Sequence, residues 1–350
     1  MEKKTKERIV GIGVAAGAAL LTAAPFVAVR VAYDKAFNRH ISTYDPLYFS
    51  MDDFPSLRRD KHVFASDKNQ KLTGYMYYYP DVTQKAVIVL SHGYGGGGQR
   101  TYLDCTNYLA KNGFYVFAYD ASGTDESEGK MGGFPQGIID ANHAIDYVSS
   151  LKDFKKYPIF LFGHSWGAYS ASNALAFHPE VKAIVAMSGF NRSTGLIKER
   201  GHVYSAGNEQ SLMPYVDGYE YDTFGELSKS TAIDAFEKSN ARVFIVHSGD
   251  DLTVPISTGY ELYFEKFKDN PRFKFTLFED RGHGTVYYSK EGVDYTKAFY
   301  EKWNEFLKNK PSEEDKLQFI KTNIDRNVWN NRYNEELWKD VIEFYNESLD

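Results

Sequence analysis

Gly163-His164-Ser165-Trp166-Gly167 sets one serine between two glycines, directly after the apolar run Ile159 to Phe162. A strand that meets a helix through a very sharp turn needs small residues on both sides of the apex, because a Cβ on either neighbour would clash. The turn exposes the serine hydroxyl, and the N–H groups of the following helix start aim at the same spot. A serine hydroxyl is a weak nucleophile and needs a base, and the base needs an orienting group. His283, between two glycines in "EDRGHGTV", follows the last predicted strand and is the candidate base. "VHSGDDLTVP" follows the preceding predicted strand and offers two carboxylates, Asp250 and Asp251. A fourth part comes from "LSHGYGGGG", where His92-Gly93 turns the backbone so that the N–H of Tyr94 faces the site, with the N–H of Trp166 as its partner. Two such donors would stabilise an oxyanion, each at about 3 kcal/mol in the transition state. The chemistry these residues could do is acyl transfer through a serine.

Other chemistries fit less well. The glycine run at 95–98 lacks both G-x-x-x-x-G-K-[ST] and G-x-G-x-x-G, so it is not read as a phosphate loop. The nine histidines are dispersed, with no H-E-x-x-H, and no metal or other cofactor is expected. His92 and His164 are read as structural. The single cysteine, Cys105, excludes an intrachain disulfide framework and is read as a buried thiol in a helix. A net charge of −6 with no basic patch argues against nucleic acid as a partner.

The surrounding elements are those that could hold such a site. The 350 residues, 43% hydrophobic, suffice for one large α/β domain with extensions. After an opening antiparallel pair, "HVFASD" and "KLTGYMYYYP", short apolar strands alternate with helices predicted near 99–112, 137–151, 166–177, 256–268 and 292–308. The strand "KAVIVLSHG" is almost wholly apolar, the mark of a strand buried on both faces. The pattern predicts a mostly parallel, twisted sheet with helices on both faces. Residues 190–240 are too long for an ordinary crossover and are rich in Tyr. Residues 311–350 read as a helical extension, with "EELWKDVIEFYNESL" amphipathic.

The N-terminus has a different character. Four basic residues (Lys3, Lys4, Lys6, Arg8) precede an uncharged run over 9–29, long enough as a helix to span about 30 Å. Residues 1–30 are therefore expected to form a membrane anchor or signal segment, and an uncleaved anchor is favoured because no A-x-A site follows the run. Residues 31–59 are read as a linker, and the hydrolytic domain is expected over 60–310, on the extracytoplasmic side. The alternative is a cytoplasmic protein whose apolar N-terminal helix docks on the domain. The sequence does not set an oligomeric state.

Over roughly 60–308 the chain closely resembles the α/β-hydrolase superfamily, nearest to bacterial hydrolases of the serine aminopeptidase S33 and monoacylglycerol-lipase-like group. The resemblance rests on His92-Gly93-Tyr94-Gly95, Gly163-His164-Ser165-Trp166-Gly167, Asp251-x-x-Val254-Pro255 and Gly282-His283, in that order. It implies an α/β-hydrolase fold with 190–240 as cap or lid. It also implies Asp251, rather than Asp250, as the orienter, completing a triad of Ser165, Asp251 and His283. The loop "YDASGTDESEG" resembles the family's D-x-x-G-x-G-x-S-x-G, but Asp125 stands where glycine is usual. The expected activity is hydrolysis of a small-molecule acyl ester through an acyl-enzyme. An aminopeptidase or acyltransferase using the same triad, and a silent anchored binding protein, are the alternatives.

Overall fold

The computed structural model describes residues 24–205 and 209–349. Eight strands form one sheet in the order β1-β2-β4-β3-β5-β6-β7-β8. They are β1 (Arg58–Ala65), β2 (Lys71–Tyr78), β3 (Ala86–Ser91), β4 (Phe114–Tyr119), β5 (Ile159–His164), β6 (Ala183–Met187), β7 (Arg242–Ser248) and β8 (Phe273–Phe278). β1, β2 and β4 pair antiparallel and all other neighbours pair parallel. Every residue of β3, β5 and β6 is buried, which is why these strands carry no polar alternation. β3 lies between β4 and β5, so the chain order reverses beside it. Ligands of open α/β sheets bind at the carboxyl ends of strands at such a switch point.

Helices cover both faces. On one lie α3 (Phe134–Ser150), α4 (Trp166–Ala174), α7 (Ala232–Lys238) and α8 (Tyr260–Phe267). On the other lie α2 (Leu103–Lys111), α9 (Lys290–Leu307) and the C-terminal helices α10 (Glu313–Asn323), α11 (Arg326–Asn330) and α12 (Glu335–Asn346). The C-terminal helices are thus packed into a main core. The Tyr345 ring stacks on Phe160 at 5.2 Å, and its hydroxyl donates to the Leu161 carbonyl at 2.7 Å. Cys105 is a buried free thiol in α2.

Two helices, α5 (Ser193–Ser205) and α6 (Glu209–Phe224), rise from the segment between β6 and β7. Against them packs a helix, α1, covering 24–37. Val29, Tyr33 and Phe37 of α1 share a small apolar cluster with Val216 of α6. Residues 31–59 therefore contribute buried side chains, Leu47, Phe49 and Leu57 among them. Most of the expected anchor over 9–29 lies outside the described residues. Among the described residues no helix is long and apolar enough to cross a membrane, so the expectation of a spanning anchor gains no structural support.

Candidate active site

β5 ends at His164, and α4 begins at Trp166. Ser165 alone makes the turn, with φ 57° and ψ −121°, a conformation that non-glycine residues rarely adopt. Both flanking glycines are sterically required. A Cβ at Gly163 would meet the Gly167 carbonyl oxygen at 2.4 Å, and one at Gly167 would meet that of Ser91 at 1.9 Å. The strained residue is held by its own N–H, which donates to the Met187 carbonyl at 2.8 Å.

The loops after β7 and β8 bring the expected partners to it. His283 Nδ1 lies 2.7 Å from Asp251 Oδ2, and His283 Nε2 lies 2.8 Å from Ser165 Oγ. With Nδ1–H donating to the carboxylate, Nε2 is left to accept the serine proton. Asp251 Oδ1 accepts the N–H groups of Thr253 and Val254, both at 2.8 Å. Burial pushes its pKa up, but hydrogen bonds from His247 and His283 outweigh this and hold the carboxyl well below the usual range. Asp250 faces elsewhere. It accepts from Ser248 Oγ at 2.6 Å and from the Gly282 N–H at 2.8 Å, fixing the start of the histidine loop. Among the described residues no protein group accepts from the backbone N–H of Tyr94 or Trp166, which leaves both donors unengaged beside Ser165. No group of three or more potential ligands for a metal ion occurs among the described residues.

Two histidines do more than fill space. His164 donates from Nε2 to the His283 carbonyl at 2.9 Å and accepts the Tyr102 hydroxyl at Nδ1, 2.6 Å away. Burial and the neighbouring His283 lower its pKa to about 3, so it stays neutral and keeps this tautomer. It holds the backbone of His283 from the residue next to Ser165. His247 is fully buried, donates to the Val254 carbonyl at 2.9 Å, and places Nε2 3.3 Å from Asp251 Oδ2. Nothing in the sequence pattern singled out His247; its spacing of four residues before Asp251 was the available signal. His92 is structural, accepting the Ala121 N–H at Nε2. Asp125 has φ 37°, which explains why glycine would also suit the position. Its carboxylate accepts from Thr43 Oγ1 at 2.6 Å and the Gly98 N–H at 3.1 Å, and it lines neither cavity beside the serine.

Ser165 opens on two cavities that differ in polarity. One, of about 710 Å³, is apolar and lies beneath α1 and the α5–α6 cap, lined by Phe37, Phe134, Phe190, Leu196, Met213 and Val216. The other, of about 600 Å³, mixes charged with aromatic side chains, is the more polar of the two, and reaches toward α9 and the C-terminal helices. The apolar roof is latched by a buried carboxyl. Glu220 of α6 accepts from Tyr33 at 2.7 Å and Ser193 at 2.5 Å. Burial raises its pKa from 4.5 to about 7, against the opposing pull of these two hydrogen bonds. A raised folded-state pKa means that the stability is present below about pH 4.5 and is lost as pH rises through 7. The loss amounts to about 3 kcal/mol. Glu220→Gln keeps an acceptor for both hydroxyls and removes this titration. The variant is expected to melt higher than the parent at pH 8 and to narrow the difference in Tm between pH 5 and pH 8. Asp120, raised to about 7 by burial, titrates in the same window and keeps the difference from vanishing. Thermal melts at the two pH values check this.

Comparison with known proteins agrees with the fold. The family described as serine aminopeptidase, S33, matches residues 83–202. The uncharacterized protein YcjY of Escherichia coli K12 is 27% identical over 209 residues, 57% of this chain and 61% of that protein. Human monoglyceride lipase is 34% identical over 104 residues, 29% of this chain and 34% of the lipase. The chain thus matches less than two thirds of the length of either relative. Among solved structures, the Pyrococcus furiosus esterase Pf2001 superposes with a TM-score of 0.53 at 21% identity, covering 77% of this chain and 96% of the esterase. Sheet order, the strained serine turn and these likenesses converge on one assignment: the chain has the α/β-hydrolase fold.

Proposed function

We propose that the protein is a serine hydrolase that cleaves carboxylic esters through an acyl-enzyme. The observation that carries this reading is His283 bridging Ser165 and Asp251 at 2.8 and 2.7 Å. Ser165 Oγ attacks the acyl carbonyl while His283 Nε2 takes its proton. Asp251 keeps Nδ1 protonated and stabilises the imidazolium that forms. The amides of Tyr94 and Trp166 receive the oxyanion. His283 then protonates the leaving alcohol, activates a water molecule, and the acyl group departs as a carboxylate.

Esters are favoured over peptides on two grounds. Two relatives in the comparisons are named for ester cleavage, monoglyceride lipase and the Pyrococcus esterase. An aminopeptidase needs uncompensated carboxylates to hold a substrate ammonium. In the polar cavity Asp250 is committed to Ser248 and Gly282 and Asp104 is buried against the Cys105 N–H, while Arg281, Lys297 and Arg332 line the same space. The apolar cavity suits an acyl chain, which places the leaving group in the polar one. The test is labelling by a fluorophosphonate probe, followed by turnover of p-nitrophenyl acetate, butyrate and octanoate beside aminoacyl anilides. The expected result is labelling with ester turnover that rises from acetate to the longer chains. Anilide cleavage without ester turnover would move the assignment to a peptidase, and no labelling of the folded protein would overturn it.

A further inference from the structure

Arg332 enters the polar cavity from the turn between α11 and α12, and only 4% of the residue is exposed. Its Nε donates to the Trp329 carbonyl at 2.9 Å, and Nη1 donates to Thr296 Oγ1 at 2.8 Å. The guanidinium lies over the rings of Trp329 at 3.5 Å and Tyr288 at 4.4 Å. Among the described residues Nη2 has no protein acceptor, and no carboxylate lies within 4 Å of the group. Guanidinium does not shed its proton in a protein, and a buried charge without a counter-ion is costly. Lys297 of α9, exposed at the same cavity, is likewise without an ion-pair partner among the described residues.

Among the described residues the acidic groups of the cavity form no ion pair with Arg332 or Lys297. Asp250 is committed to Ser248 and Gly282. Asp104 is buried and accepts the Cys105 N–H at 2.8 Å and the Tyr288 hydroxyl at 3.4 Å; burial raises its pKa, and the charge of Arg332, which lies beyond ion-pair distance, opposes that rise. Arg281 is paired with Asp280. The cavity next to Ser165 therefore keeps one preorganised guanidinium edge open, with the Lys297 ammonium on the same lining. Such an edge matches a phosphate or carboxylate.

We propose that the alcohol portion of the substrate carries an anionic group, phosphate or carboxylate, that is bound by Arg332 with Lys297 in the polar cavity. This rests on the ester-hydrolase reading above. The substrate would then be an amphipathic ester, its acyl chain under the cap and its anionic end toward the C-terminal helices.

The test compares three esters of one acyl chain with the full chain of the protein: monodecanoylglycerol, its phosphate monoester, and decanoylglycolate. The expected result is a preference of about tenfold or more in kcat/KM for at least one anionic ester over the neutral one. The better of the two identifies phosphate or carboxylate as the ligand. Arg332→Gln is expected to reduce that preference about tenfold. Lys297→Glu, at an exposed position, gives an independent reading should Arg332→Gln fail to fold. Equal kcat/KM for neutral and anionic esters in the parent, or a preference unchanged in Lys297→Glu and in folded Arg332→Gln, would overturn the proposal. Calorimetric titration of Ser165→Ala with glycerol phosphate, against glycerol as control, reads the site without turnover. Binding there in a protein that hydrolyses no ester would refute the hydrolase reading and leave the anion site standing.

Discussion

Ser165→Ala is expected to lower ester turnover by on the order of 10⁴-fold or more while leaving the thermal melt close to that of the parent. The reasoning starts from the backbone. Ser165 sits at φ 57° because Gly163 and Gly167 let β5 and α4 approach each other, and its N–H is held by the Met187 carbonyl. None of this uses the hydroxyl, so alanine keeps the turn and loses only the group 2.8 Å from His283 Nε2. Asp251→Asn should cost a comparable factor for a different reason. Asp251 Oδ1 accepts two backbone N–H groups, so an asparagine there keeps its oxygen toward Thr253 and Val254. Its NH₂ then faces His283 Nδ1 and stabilises the tautomer with the proton on Nε2, which cannot accept from the serine. Steady-state rates with p-nitrophenyl butyrate, beside circular dichroism melts, separate the outcomes. Full activity in Ser165→Ala would sink the assignment of the nucleophile. Full activity in Asp251→Asn would show that the carboxylate is not needed to orient His283.

How far the site could be read from the sequence follows from what each residue's position depends on. Ser165, His283 and the carboxylate after β7 each lie within a few residues of the end of a strand, and strand ends are marked where an apolar run gives way to polar residues and glycine. Their meeting at one end of the sheet follows from parallel strands. The choice between Asp250 and Asp251 could not be made from spacing, because both follow the same strand. Here a backbone turn decides it, with Oδ1 of Asp251 tied to Thr253 and Val254 while Asp250 turns to Gly282. His164 was legible as a buried residue but not as the group that holds the His283 carbonyl, a contact across 119 positions. The two cavities were not legible at all. Their walls come from α1, the cap and the C-terminal helices, segments whose order in the chain says nothing of their proximity. The Tyr33–Glu220 latch, 187 positions apart, is of the same kind.

The amphipathic pattern of the last forty residues announced a helix but not what it covers, and that gives the second large effect. Trp338→Ala is expected to destabilise the protein by about 3–5 kcal/mol. The indole is fully buried, stacks on Phe162 of β5 at 6.0 Å, and meets Tyr108 of α2 at 5.0 Å. The cavity left by alanine would lie against the strand that carries Ser165. Trp338 Nε1 is buried without a protein partner, so Trp338→Phe removes an unsatisfied donor along with some volume and should cost less than about 1.5 kcal/mol. Deleting residues 311–350 acts on the same surface at larger scale. Leu337, Trp338, Val341, Phe344 and Tyr345 are all buried on this face. At roughly 1.5–3 kcal/mol for each side chain, their loss approaches about 10 kcal/mol, the size of a domain's whole stability. The truncated chain should therefore fail to fold cooperatively, with Phe160, Phe162 and Phe244 uncovered. Denaturant titrations of the two point variants and a melt of the truncated chain test this together. A cooperative melt of the truncated chain within a few degrees of the parent would make α12 an appendage, and the order Phe above Ala at position 338 would then have no reason to hold.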